Sequence, residues 1–271
     1  MARPLWFVRL LKKTFSQRFF YARLSNLPVV GNMMDRLLFE GDDIIYLPKD
    51  NAIAVNEEIQ PPGIAVLPSA VVDHFIEKAN YHWIMKECIC REASDCKGYP
   101  HDLGCLFLGA AAMGIHPELG RRVTKEEARE HARQCRQAGL THLIGRNKLD
   151  TIWLGVGPGN KLLTICNCCP CCCLWRILPY VTEQIGDKVA KMPGVTVTVS
   201  DRCTGCGTCL DGVCFVDAIR KVEDRVLHTQ ACRGCSHCVT VCPSGAIEIS
   251  FAYDTAIQDS IERLSRLVDL S

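Results

Sequence analysis

Cysteine is the residue type whose number and spacing most clearly indicate chemistry in this chain. The sequence has 271 residues and 19 cysteines, eight of which form two runs near the C-terminus. In each run, three cysteines are separated by two residues and a fourth follows: Cys203, Cys206, Cys209 and Cys214, then Cys232, Cys235, Cys238 and Cys242. Three thiolates at this spacing wrap one loop around an iron-sulfur cube. Zinc sites usually take cysteines in separated pairs, and thiols this close cannot all pair as disulfides, so the runs predict two 4Fe-4S clusters.

The two runs also form an internal repeat, because each ends in a similar segment, Asp217-Ala218-Ile219 or Gly245-Ala246-Ile247. This region, about residues 200 to 252, resembles a bacterial two-cluster ferredoxin domain. The resemblance implies a small pseudo-symmetric α+β sandwich that carries electrons at low potential. In such ferredoxins the distant fourth cysteine ligates the neighbouring cluster. The implied ligand sets are Cys203, Cys206, Cys209 and Cys242 for one cluster, and Cys232, Cys235, Cys238 and Cys214 for the other.

The two halves of the repeat differ at one point. The first half has a four-residue loop before Cys214, and Phe215 stands where the second half has Pro243. A longer loop predicts different hydrogen bonding around the cluster that Cys214 serves, and hydrogen bonds to sulfur tune the potential of a cluster. We therefore expect the two clusters to differ in potential.

Ten further cysteines lie upstream of the repeat and are candidate ligands. They are Cys88, Cys90, Cys96 and Cys105, followed by the run Cys166, Cys168, Cys169, Cys171, Cys172 and Cys173. So many reactive sulfurs are expected to oxidise unless a cofactor holds them. Because one cubane takes four thiolates, the set predicts one or two additional iron-sulfur clusters. Two clusters could lie on opposite faces of a strand, whereas a bend at Pro170 would let the run surround a single larger cluster. Zinc and a redox-active disulfide relay are the alternatives.

The elements that position these thiols predict an α+β fold. A capping box at Thr124 and Glu127 predicts a helix through Ala138 with Cys135 in the core, and 162–165 reads as a strand leading into the cysteine run. We expect four parts: a basic amphipathic segment (1–34), a helical or mixed Cys-rich iron-sulfur domain (35–199), a two-cluster ferredoxin-like α+β domain (200–252) and a C-terminal amphipathic helix (253–271).

The N-terminal segment is basic and amphipathic, with no acidic residue before Asp35. One helical arc carries the apolar side chains of Phe7, Val8, Leu11, Phe15 and Phe19. Such a pattern is typical of a helix in a membrane interface, so residues 1–25 are candidates for peripheral membrane contact. A helix that docks on a partner subunit, or packs on the protein itself, has the same pattern.

Composition limits the class of protein. The net charge of +1 predicts no nucleic-acid partner, and the 48% apolar content is ample for a core. No charge-free apolar run reaches the length of a membrane span. Many cysteines without a recognisable secretory leader favour metal sites in a reducing compartment. We therefore expect a cytoplasmic protein, with residues 1–25 as the candidate for contact with the cytoplasmic face of a membrane.

Beyond the ferredoxin repeat, about residues 36 to 252 resemble a poorly characterised group of 4Fe-4S-binding proteins of anaerobes. The segments that carry this resemblance are 86–91 (KECICR), 104–109 (GCLFLG) and 165–173 (ICNCCPCCC). Members share a Cys-rich domain fused to a two-cluster ferredoxin domain. The adjacent cysteines are also similar to the CCG domains of heterodisulfide reductases, which bind non-cubane clusters. Here Pro170 follows Cys168-Cys169 in place of the glycine of that motif, so only the idea of an unusual cluster carries over.

Two functions follow as hypotheses. The first is an electron-transfer protein in which the ferredoxin clusters pass low-potential electrons to or from the clusters of the Cys-rich domain, for a redox protein partner or within a larger redox complex. The second is an oxidoreductase whose active-site cluster lies in residues 88–173, with Arg91 and His101 as candidate polar contacts to a substrate. A non-catalytic scaffold within a redox complex is the third.

Overall fold

The protein is described by a computed structural model that covers residues 2–53, 67–251 and 253–271. Its helices are α1 (Leu5–Thr14), α2 (Arg18–Leu24), α3 (Pro28–Met34), α4 (Ser69–Lys78), α5 (Ile89–Ala93), α6 (Lys125–Gln137), α7 (Lys148–Leu154), α8 (Glu183–Gly186), α9 (His237–Val241) and α10 (Tyr253–Ser265). A π-helical turn, Asp35–Phe39, follows α3, and short 3-10 segments connect other elements. No helix in the described ranges combines the length and hydropathy needed to cross a membrane.

The strands form one large sheet and two small ones. They are β1 (Asp43–Tyr46), β2 (His82–Met85), β3 (Leu106–Leu108), β4 (Gly120–Val123), β5 (Thr141–Arg146), β6 (Leu163–Cys168), β7 (Val189–Lys191), β8 (Val195–Val199), β9 (Ile219–Val222), β10 (Arg225–His228) and β11 (Ile247–Phe251). The large sheet has the order β4-β2-β3-β6-β5-β1-β7, in which only β1 and β7 are parallel among the described strands. Together with the helices, these sheets confirm the predicted α+β class.

Strand β6 lies at the centre of the large sheet and carries the start of the cysteine run. It pairs with β3 on one side and β5 on the other, with Leu106 opposite Ile165 and Thr141 opposite Cys168. The strand is longer than the 162–165 segment predicted from the sequence, and it includes Cys166 and Cys168. Because side chains alternate along a strand, these two cysteines share one face and Asn167 points to the other.

The main hydrophobic core lies between the large sheet and helices α4, α6 and α10. Helix α6 begins with the predicted capping box, in which the Glu127 N–H donates to Thr124 Oγ1 at 3.2 Å and the Thr124 N–H donates to Glu127 Oε2 at 2.9 Å. Helix α10 packs on α4, and Arg263 makes a two-pronged ion pair with Asp43, at 2.9 and 2.6 Å. The C-terminal helix is therefore part of this core.

The C-terminal part of the described chain forms the two small sheets, and we call it the ferredoxin-like unit after the resemblance of residues 200 to 252. Its first strand, β8, pairs antiparallel with β11, with Val195 opposite Phe251, while β9 and β10 form the second small sheet. Val195 and Ile249 are buried in the same core cluster as the sheet residue Ile45. Since this core is continuous, the unit is built onto the body of the protein.

The N-terminal helices lie on the body rather than projecting from it. The Arg3 N–H donates to the Leu154 carbonyl at 3.0 Å, Lys12 forms an ion pair with Glu87, and the Asn26 side chain donates to the Tyr180 carbonyl at 2.8 Å. Val8, at the centre of the predicted apolar arc, is 4% exposed. The contacts described for these helices are therefore with the protein itself.

Candidate metal centres

The first ferredoxin quartet lines one cavity. Cys203, Cys206, Cys209 and Cys242 all border it, so the cysteine of the second run lies with the three cysteines of the first. The Ala246 N–H donates to Cys242 Sγ at 3.3 Å, and the Thr208 hydroxyl lies 3.5 Å from Cys206 Sγ. Cys206 is exposed, which brings this cavity to the surface of the protein.

The second ferredoxin quartet lines a separate cavity, bordered by Cys214, Cys232, Cys235 and Cys238. The Ala218 N–H donates to Cys214 Sγ at 3.2 Å, the counterpart of the Ala246 bond in the other half. At this bond the two halves are alike, so the longer loop before Cys214 does not change it. The difference lies in the surroundings, because burial raises the pKa of the Cys235 thiol to about 12 whereas Cys206 is in contact with solvent.

The ten upstream cysteines divide into two groups. We call the first group the upstream quartet: Cys96, Cys169, Cys171 and Cys172. The four sulfurs all lie within 4.8 Å of one another, and three of the residues are buried while Cys171 is exposed. Cys96 belongs to the loop after α5, and the other three follow β6. The turn after β6 therefore contacts the loop after α5, which is distant in sequence. The spacing of the cysteines does not predict this contact.

The second group lines an apolar cavity of about 390 Å³, which we call the chamber. Its six cysteines outside the upstream quartet are Cys88, Cys90, Cys105, Cys166, Cys168 and Cys173, and Cys169 of the quartet also borders it. Cys105 and Cys166 directly adjoin the paired residues Leu106 and Ile165 of β3 and β6, and their sulfurs are 3.9 Å apart. Cys168 and Cys173 approach more closely, at 3.1 Å. Thiols from three separate segments of the chain thus converge on one cavity.

The outer wall of the chamber comes from the N-terminal helices. Phe7, Leu11 and Phe15 of the predicted apolar arc line it, as does Arg18, which lies over the Phe15 ring at 4.2 Å from the ring centre. Sequence reasoning did not assign these residues to a cofactor site. The amphipathic pattern of the N-terminal segment was the available signal. Such a pattern predicts that the apolar face of a helix is buried, but it does not identify what the face packs against.

Arg91 is a buried cation close to both upstream groups. It is 0% exposed, and its guanidinium donates to the Asn167 carbonyl at 2.7 Å and to the Leu103 carbonyl. Burial lowers its pKa, but the thiolates of Cys88, Cys169 and Cys168 more than offset this effect and raise it. Arg91 therefore balances negative charge that the cysteines carry when they bind metal.

His101 and Cys135 do not act as ligands in this arrangement. The His101 ring lies 3.1 Å from a Glu92 carboxylate oxygen and 2.8 Å from the Cys96 carbonyl, so it holds the backbone of a quartet residue. Cys135 is 0% exposed in a hydrophobic cluster beside the upstream quartet, and burial raises its pKa to about 12. It is a core residue, as predicted.

The residues present fit iron-sulfur chemistry. Eight cysteines form two quartets with backbone N–H donors directed at sulfur, which is how proteins hold and tune such clusters. The chamber supplies further thiols in buried or half-buried, largely apolar surroundings.

Comparison with known proteins bears on the C-terminal part of the chain. The family described as 4Fe-4S binding domain matches residues 226–248, which contain Cys232, Cys235, Cys238 and Cys242. The chain gives no match to curated proteins or to solved structures. The family match and the cysteine groups together support iron-sulfur binding by this chain.

Proposed function

We propose that this protein is an electron carrier that connects two ferredoxin-type 4Fe-4S clusters to an additional iron-sulfur site in the chamber, on behalf of a redox partner protein or a larger redox complex. Bound clusters would supply one-electron redox chemistry. The chain would contribute the thiolates, exclude water and keep the sites close together. The observation that carries the proposal is the position of Tyr46.

Tyr46 lies between the chamber and the second ferredoxin quartet. It is 0% exposed, and its hydroxyl has no hydrogen-bond partner among the described residues. Burial raises its pKa, and so do thiolates on both sides, from Cys173 and Cys168 of the chamber and from Cys235 of the ferredoxin quartet. Tyr46 packs in one hydrophobic cluster with Cys168 and Cys173 of the chamber, and Cys235 packs against the same cluster, so the two groups of thiols are near neighbours.

Phe215 extends this connection. Its ring lies 5.3 Å from that of Tyr46 between ring centres, and it directly follows the ligand candidate Cys214. Thiols of both groups pack in the same hydrophobic cluster as these rings. The departure from the repeat at Phe215, where the other half has proline, thus supplies an apolar contact between the ferredoxin unit and the body. A dry and closely packed junction supports electron transfer between the two sites.

Exposure suggests where a partner would exchange electrons. Cys206 is the exposed member of the first ferredoxin quartet, whereas the chamber cysteines are buried or half-buried. A partner protein that docks beside Cys206 would reach a cluster on that quartet with little protein in between. The direction would then run from the first quartet to the second, and past Phe215 and Tyr46 to the chamber, or the reverse.

Metal analysis of the full chain tests the carrier function. Anaerobically purified protein is expected to contain about eight iron atoms for two cubanes and at least about four more for the chamber, with matching inorganic sulfide. Reduction with a low-potential donor should generate paramagnetic signals from the ferredoxin clusters and from a further site. Iron that only accounts for two cubanes, or zinc in the chamber, would contradict the proposal.

The volume of the chamber favours a second candidate function, an oxidoreductase with its active site there. About 390 Å³ of space is bordered by aromatic and aliphatic side chains as well as by seven thiols. An enzyme needs an open coordination position on the metal, whereas a carrier has all positions filled by protein. Cyanide or a small thiol separates the two, because either ligand should change the paramagnetic spectrum of the chamber site in an enzyme and leave it unchanged in a carrier.

A further inference from the structure

The sulfurs of the upstream quartet are unusually close together. Cys171 Sγ is 3.6 Å from Cys96 Sγ, 3.5 Å from Cys169 Sγ and 3.6 Å from Cys172 Sγ. All four sulfurs lie within 4.8 Å of one another. Neither ferredoxin quartet, each of which lies in the described part of the chain, forms such a compact group.

This spacing fits one ion at the centre of a tetrahedron. Zinc binds thiolate sulfur at about 2.3 Å, so four thiolates around one zinc ion are about 3.8 Å apart. The observed 3.5 and 3.6 Å separations are close to that value. Thiolates that bind the corner irons of a cubane stand farther apart, because the irons and sulfides of the cluster lie between them. The quartet leaves no room for a cubane without moving its turn.

We propose that Cys96, Cys169, Cys171 and Cys172 bind a single zinc ion and not an iron-sulfur cluster. Tetrahedral coordination by four sulfurs is typical of zinc or of iron-sulfur centres, and the compact spacing selects the single ion. Four thiolates complete the coordination of zinc, so the site is closed and structural.

The surroundings of the quartet support a structural role. The His101 ring binds the Cys96 carbonyl at 2.8 Å, and the Arg176 guanidinium donates to the Cys171 carbonyl at 2.9 Å, so both halves of the site are held from outside. Cys168 and Cys173, which line the chamber, flank the turn that carries three of the quartet thiols. An ion that ties this turn to Cys96 would fix the chamber cysteines at either end of it.

The test counts zinc, iron and inorganic sulfide in the full-length protein purified anaerobically. The double variant Cys171→Ser and Cys172→Ser is expected to lose one zinc ion per chain while iron and inorganic sulfide from the ferredoxin quartets persist. The matched control is Cys135→Ser, which alters a buried thiol in the same hydrophobic cluster and should retain the zinc. A joint loss of about four irons and four sulfides, loss of a lone iron, or no loss of metal would overturn the proposal.

X-ray absorption at the zinc edge of the wild-type protein provides a second readout if the double variant does not fold. The expected result is a single shell of four sulfurs at about 2.3 Å with no neighbouring metal. Wild-type protein that contains its iron but no zinc would overturn the proposal. This zinc site is independent of the carrier function, since iron content and reduction of the ferredoxin quartets report on the carrier alone.

Discussion

The sulfurs of Cys168 and Cys173 are 3.1 Å apart, although the turn that carries three thiols of the upstream quartet separates the two residues. Cys168 ends β6, and Cys173 precedes the 3-10 segment Leu174–Tyr180. Both residues pack in one hydrophobic cluster with Tyr46, whose pKa is raised by burial and by both thiolates. The contact between Cys168 and Cys173 therefore links the chamber to the packed junction of Tyr46 and Phe215 with the ferredoxin-like unit.

Replacement of Cys168 by serine should remove iron from the chamber. A hydroxyl is a poorer ligand than a thiolate for iron in these clusters, so we expect a loss of about four or more irons per chain and slower electron transfer to a partner. Iron and sulfide analysis, with paramagnetic resonance of the reduced protein, measures both effects. The ferredoxin signals should persist, and Cys135→Ser is the control. Unchanged iron content would exclude Cys168 as a ligand.

Removal of the Arg91 charge should make the chamber site harder to reduce. Arg91 is fully buried beside thiolates of both upstream groups, and a nearby positive charge stabilises the added electron. Arg91→Met is expected to shift the midpoint potential to more negative values and to cost about 3 to 5 kcal/mol of stability. Arg91→Lys keeps the charge but loses the two-pronged geometry, so the midpoint potential of its chamber site should fall between those of the wild type and Arg91→Met. Potentiometric titration followed by paramagnetic resonance tests this order, and equal potentials in all three proteins would contradict it.

Asp42 should give the stability of the protein a negative slope with pH. Its Oδ1 accepts from the Lys148 N–H at 2.6 Å, its Oδ2 has no partner among the described residues, and burial raises its pKa from 3.8 to about 7. The folded protein thus keeps a proton that the unfolded chain has lost, so the contribution to stability is largest below about pH 4, falls between about 4 and 7, and is constant above.

Asp42→Asn is the variant that tests this slope. Asparagine keeps the oxygen that accepts from Lys148 but does not ionise, so anaerobic urea unfolding between pH 5.5 and 8 should depend less on pH. Part of the slope should remain, because burial also raises the pKa of Asp150 to about 7. An identical slope in wild type and variant would show that Asp42 is ionised in the folded protein throughout this range.

The solvent-exposed side of the N-terminal helix α1 is a candidate surface for membrane contact. Trp6 and Leu10, one turn apart on α1, are 64% and 48% exposed, and the basic side chains of Arg9 and Lys13 on the same helix are exposed as well. We propose that this face, and not the arc that lines the chamber, contacts an anionic membrane surface. Sedimentation with acidic vesicles should weaken with salt, because each basic residue contributes about 1 kcal/mol that screening removes.

The double variant Trp6→Glu and Leu10→Glu should abolish sedimentation and leave the iron content unchanged. Leu227→Glu is the matched control, because Leu227 is an exposed leucine on the ferredoxin unit and its replacement should not affect vesicle binding. Sedimentation that survives the double variant, or that does not respond to salt, would exclude this face as a lipid-binding surface and favour a protein partner.

Local patterns in the sequence predicted the parts of the protein that depend on near neighbours. The C-x2-C-x2-C loops need only a few residues to surround a cluster, and the capping box at Thr124 and Glu127 is satisfied within one turn of helix. Cys135 was assigned to the core because the period of a helix fixes the face on which a residue lies. For such features, residues that are close in sequence are also close in the folded protein.

Only the tertiary structure decided how the ten upstream cysteines are shared between sites. Cys96 and Cys105 lie close together in sequence, yet one joins the upstream quartet and the other lines the chamber. That division depends on the order of β3, β6 and β5 in the sheet and on the turn after Cys168. The same applies to Tyr46 and Phe215, whose contact joins segments far apart in the chain. Such contacts arise from the packing of whole elements, so the type and spacing of the residues alone do not encode them.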